Sequence, residues 1–222
     1  MALLDPVKPH VLATKFIPNV APDLRRELNM TDDQQSIAMF TCDIDDCAYV
    51  AIDEATKKAE VRVVYAKSLY AGDPNAMRAA GTLAGEFIGI LAGPNPAETK
   101  AGLNAAIQNL VEESWFYSAN DDDSVVYFAH TISRTGSYLS ECAGIPEGDP
   151  LAYLIAPPLE AVYGLDAALK AADVRMVSFY GPPSETNFGG GLLTGSQSAC
   201  KAACSAFAQA VRTVAEYPRE YD

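Results

Sequence analysis

The residues of this chain that could do chemistry are few and loosely spaced. Cys200 and Cys204 stand four apart in "SACKAACSAF", so a helix would place both thiols on one face, within reach of a shared metal ion. No histidine or second thiol pair accompanies them. The alanines around them (Ala202, Ala203, Ala206) point instead to a helix that packs closely on a neighbour. The histidines are His10 and His130; neither has metal-site spacing, and His130 in "VVYFAHTISRTG" reads as a structural side chain on a strand. "NDDDS", 120–124, gathers three carboxylates but lacks the spacing and closing glutamate of a calcium loop, so a solvated loop is favoured. The glycines of "GGLLTGSQSAC", 190–200, fit neither phosphate-loop pattern, which favours packing over anion binding. Arg134 in "SRTGSYLS" could grip an anion, or could hold a contact between strands or subunits. Asp45–Asp46 in "DIDDCAY" reads, by residue type alone, as a solvated turn or helix cap more readily than as a ligand site. There is no serine elbow, and no set of residues that calls for an enzyme.

The totals narrow the classes. The 222 residues suit one large domain or two small ones, and 49% apolar with 20% charged is a globular composition. A net charge of -13 has the wrong sign for displacing counterions from nucleic acid or for binding an anionic membrane. It suits neutral or cationic solutes. "MALLDPVKPHVL" breaks any apolar leader with Asp5, Pro6 and Pro9, and no apolar run approaches the roughly 20 residues that cross a bilayer. Five cysteines, an odd number, read as reduced thiols, so a cytoplasmic location is expected.

The elements that would position these residues come in two sets. "AYVAIDEATKKAEVRVV", 48–64, laid over "AVYGLDAALKAADVRMV", 161–177, gives eight identities in 17 positions, Asp53, Lys57 and Arg62 among them. Upstream, "SIAMFTCD" faces "PLAYLIAP"; downstream, "IGILAGPNPAE" faces "GGLLTGSQSAC". The period is too long for a solenoid and predicts two copies of one domain of roughly 100 residues. We place them at 1–112 and 113–222, each reading strand, helix, strand, loop, strand, helix. The helices are expected near 46–60 and 95–112, and near 160–172 and 197–215. Such an order gives an α/β fold, an α+β sandwich with helices on a sheet. In each copy an irregular loop, 68–82 and 180–191, is rich in turn-forming residues and expected to be weakly packed and functional.

Over nearly the whole chain these segments resemble a known family. "DIDDCAYVAIDEATKKAEVRVVYAKSLYAG", "SRTGSYLS", "YLIAPPLEAVYGLDAALKAADV", "PPSETNF" and "LTGSQSACKAAC" are similar to the tandem-domain bacterial microcompartment shell proteins of ethanolamine utilisation. The resemblance implies two tandem, circularly permuted microcompartment domains. It also implies a homotrimer that makes a pseudohexameric tile and packs against neighbouring shell proteins. A central pore is implied, gated by loops that match Tyr70, Ala71, Gly72 and Asp73, and Ser184, Glu185, Thr186, Asn187 and Phe188. A smaller acidic pore in each subunit, binding ethanolamine, is implied at Asp45, Asp46, Glu86 and Phe116. Three carboxylates and a ring are a sound receptor for an alkylammonium, by charge-assisted hydrogen bonds and cation–π attraction. No cofactor, metal or catalytic residue is implied. A different class, a soluble two-domain regulator closing on a small cationic metabolite, is the alternative; it would sediment as a monomer or dimer.

Overall fold

The structure is a computed structural model that describes residues 4–69 and 83–219. Its elements, in order, are β1 (Pro6–Val7), β2 (Val11–Ile17), α1 (Pro22–Glu27), β3 (Ser36–Cys42), α2 (Asp45–Lys58), β4 (Arg62–Ser68), β5 (Phe87–Gly93) and α3 (Pro96–Glu112). There follow β6 (Phe116–Ser118), β7 (Val126–Ile132), α4 (Ser137–Ala143), β8 (Leu151–Ala156), α5 (Pro158–Ala171), β9 (Val174–Tyr180), β10 (Gly189–Gly195) and α6 (Gln197–Glu216). The fold is mixed α/β, and it divides into two compact units.

The first unit comprises Pro9–Ser114 together with Gly136–Leu139. Its antiparallel sheet runs β2-β3-β5-β4. The buried side chains of β3 alternate: Ala38 and Phe40 face a core with Phe87 and Leu91, to which α2 adds Ile52 and α3 adds Leu110, while Ile37 packs on the other face with Val20, Leu28 and Ala92. Asn95 starts α3 by accepting hydrogen bonds from Ala97 N (2.9 Å) and Glu98 N (3.0 Å), ahead of Pro96 at the first helical position.

The second unit takes the chain up to Lys8, Trp115–Thr135 and residue 140 onward. Its sheet runs β1-β6-β7-β8-β10-β9. The four strands β7-β8-β10-β9 repeat the order of β2-β3-β5-β4, with α5 and α6 in the places of α2 and α3. Here β8 and most of β10 are buried, and Leu154, Leu193, Leu165 and Phe207 pack together with Cys200 and Cys204. Ser196 caps α6 by accepting from Ala199 N at 3.2 Å.

Two expectations are corrected. The loop expected over 180–191 ends at residue 188, because Gly189–Gly191 are strand, paired to β8 and β9. They lie so close to their neighbours that a methyl group on Gly190 would stand 1.9 Å from the Leu154 carbonyl oxygen, which explains their residue type. The short helices α1 and α4, between the first two strands of each copy, were not among the expected elements. Their length leaves no apolar period to read.

Candidate ligand site

The acids gather at one end of the β2–β5 sheet, where β3 and β4 stop, α2 begins and β5 starts. Asp45 and Asp46 open α2, where carboxylates favour the positive end of the helix dipole. They are not a solvated turn: each is only 7% exposed. Asp45 Oδ1 accepts from Asp46 N at 2.9 Å. Asp45 Oδ2 accepts from Ser68 Oγ at 2.6 Å, and that hydroxyl also meets Tyr49 OH at 2.9 Å. Asp43, just ahead of the helix, accepts from His10 N at 2.6 Å and lies 2.8 Å from His10 Nδ1.

Glu86 is held at the head of β5 by its backbone: its N–H donates to Cys42 O (2.8 Å) and its carbonyl accepts from Leu69 N (2.7 Å). Burial, reinforced by the charges of Asp45 and Asp43, raises its carboxyl pKa from 4.5 to about 7. Burial likewise pushes the Tyr49 hydroxyl up to about 12, aided by Asp45 and Asp46, so it remains a neutral hydrogen-bonding group. The structure therefore brings Asp45 and Glu86 together, with Asp46 beside them. Residue-type reasoning had no hold on Asp43, Ser68, Tyr49 or His10. Only Tyr49, four residues past Asp45 on one helix, carried a spacing that could have pointed to it.

Phe116 belongs to the other unit. It is buried there, stacked on Phe128 (centroids 5.2 Å) and met edge-on by Phe188 (6.0 Å). Of the pore-loop residues, Tyr70, Ala71, Gly72 and Asp73 lie outside the described residues. Ser184–Phe188 form a closed turn rather than a loose loop: Ser184 N donates to Phe188 O (2.8 Å) and Asn187 N to Ser184 O (3.1 Å). Asn187 takes the left-handed conformation, which asparagine tolerates well.

The remaining candidates have structural surroundings. Cys204 Sγ lies 3.3 Å from Thr131 Oγ1, and burial raises both the Cys200 and Cys204 thiol pKa values, Cys204 to about 11, so neither is a ready thiolate. His130 stacks on Phe128 at 5.3 Å. In the 120–124 turn, Asn120 and Asp122 accept from Val125 N and Ser124 N. Among the described residues no group of three or more acids, thiols or imidazoles is arranged to hold a metal ion. None of their helices is long and apolar enough to cross a membrane.

No protein-family model matches the chain. Known proteins do. It is 59% identical over 214 residues, 96% of its length and 97% of the other's, to the bacterial microcompartment shell protein EutL of Clostridium perfringens. It superposes with a TM-score of 0.94, at 63% identity and covering 99% of this chain and 100% of the other, on the crystal structure of ethanolamine utilization protein EutL from Leptotrichia buccalis C-1013-b. A trimeric microcompartment shell protein, PduB, shares the fold at 20% identity (TM-score 0.75, 93% and 90% coverage). Likeness at this level over both whole chains carries a family, and the family is structural rather than enzymatic: the chain belongs to the EutL bacterial microcompartment shell proteins.

Proposed function

We propose that this chain works as a homotrimeric, pseudohexagonal tile in the shell of an ethanolamine-utilising compartment, and that its Asp45–Glu86 cluster binds ethanolamine. The observation that carries the ligand is a half-buried Glu86 beside Asp45 and Asp43, whose charges add to burial in raising its proton affinity, with Asp46 next to Asp45 on α2. An ammonium group would replace that proton and satisfy the cluster with charge-assisted hydrogen bonds. A hydroxyl on the same small molecule would find Ser68 and Tyr49 beside Asp45. Phe116 keeps its proposed part as the ring of the receptor. Residues 70–73 and 184–188 are the proposed rim of a central pore, through which other small metabolites would pass.

Calorimetric titration with ethanolamine tests the site. The parent should bind, and Asp45→Asn with Glu86→Gln should not, while its sedimentation stays that of the parent. Equal binding by both proteins would place the ligand elsewhere. Phe116→Leu, measured in the same way, separates the ring from the acids.

A further inference from the structure

The connections β2–β3 and β7–β8 are copies of each other. Each is closed by the same backbone hydrogen bond, Val20 N to Gln35 O (2.9 Å) in one and Thr135 N to Asp149 O (3.2 Å) in the other. Each short helix also ends in the same way. Asn29 and Gly144 take the left-handed conformation, and the N–H groups of Met30 and Ile145 reach back to the carbonyls of Arg25 and Ser140. In this register Gly136, Ser137 and Leu139 correspond to Ala21, Pro22 and Leu24.

Only one of the two connections has found its seat. Residues 136–139 lie on α2, within the first unit. Asp53 accepts from Gly136 N and Leu139 N, both at 2.8 Å, and Thr56 Oγ1 accepts from Ser137 N at 3.1 Å. Tyr138 stacks on Tyr49, and Leu139 is 3% exposed. The repeat maps Tyr49, Asp53 and Thr56 of α2 onto Val162, Asp166 and Leu169 of α5. There the same face is open: Leu159, Val162, Tyr163 and Leu169 are exposed. Leu24, the counterpart of Leu139, is 41% exposed. Ala21 at the start of α1 offers no side-chain acceptor of its own.

The differences between the copies match in pairs. Ser137 has an N–H for Thr56 to accept; Pro22 has none, and Leu169 in place of Thr56 needs none. The Asp53–Lys57 pair recurs as Asp166–Lys170, at 3.6 Å and 2.6 Å. The two elements carry opposite signs, Glu160 and Asp166 on α5 and Arg25 and Arg26 on α1, with Asp166 already paired to Lys170 and Arg26 to Asp23. One difference sets a distance. A methyl group on Gly136 would lie 2.6 Å from the Asp53 carbonyl oxygen, so Ala21 must seat slightly further out.

We propose that the exposed face of α5 receives Ala21–Leu24 of a second copy, as α2 receives residues 136–139 within the chain. The giving and receiving surfaces differ, so the contact is heterologous, and copies join head to tail until the ring closes. This rests on the assembly proposed above and adds the surfaces that make it.

The test uses the full chain. Leu24→Cys with Asp166→Cys, mildly oxidised, should give covalent dimers and trimers on a non-reducing gel. Each single variant controls for the exposed native Cys142. Val162→Glu with Tyr163→Glu should turn a trimer into monomers in sedimentation velocity, with an unchanged circular dichroism spectrum. A monomeric parent would defeat the assembly itself. A trimeric parent with no cross-link, or one whose folded glutamate variant stays trimeric, would keep the assembly and overturn this interface. Should the glutamate variant fail to fold, the cross-link alone decides.

Discussion

Glu86 keeps its proton up to about pH 7, because burial and the neighbouring Asp45 and Asp43 oppose a further negative charge. The sign for stability follows. The unfolded chain releases this proton near 4.5 and the folded chain near 7, so the group favours the fold below about 4.5 and that help is lost as pH rises to 7. For a cation the direction reverses. An amine stays protonated through this range, and it binds a carboxylate better than a carboxylic acid. Ethanolamine affinity should therefore rise from pH 6 to pH 8, by up to about tenfold per unit below 7. Titrations at several pH values check this, and Glu86→Gln should flatten the profile. An affinity independent of pH in the parent would remove Glu86 from the site.

Among the elements, α4 is fixed by a side chain far away in sequence. Asp53, fully buried on α2, accepts two backbone N–H groups at the start of α4, and burial raises its pKa despite Lys57. Asp53→Asn replaces one acceptor with a donor, and should cost about 1–3 kcal/mol in a denaturant titration. In the Val162→Glu, Tyr163→Glu background, whose α5 face stays uncovered, Asp166→Asn should cost almost nothing in the same measurement. The longer elements were legible in the sequence because their signals are local. Alternating β3, the Asn95 cap of α3 and the eight identities between α2–β4 and α5–β9 each lie within one short window. The site was legible only in part. Asp45, Asp46 and Glu86 came from resemblance, whereas His10, Asp43 and Ser68 reach the cluster through pairings set by the sheet, which no local spacing records. The loop expected over 180–191 was misjudged at its end because three glycines carry turn chemistry and close strand packing alike.

On the scale of the whole molecule, two units built to one plan in a single chain favour a ring with twice as many domains as chains. Concentrated protein should form flat, hexagonally spaced arrays in negative-stain electron microscopy; discrete particles at every concentration would remove the tile from the proposal. The units are not interchangeable. The β4–β5 connection, 69–86, has 18 residues, and the β9–β10 connection, 181–188, has 8. A gene for one such domain would stamp each change on every position of a ring at once. With two domains per gene, a lengthened connection, or Thr56 traded for Leu169, would be inherited at alternate positions of the proposed ring only. Duplication thus lets one half of the molecule diverge toward new tasks while the other half conserves the form of the wall.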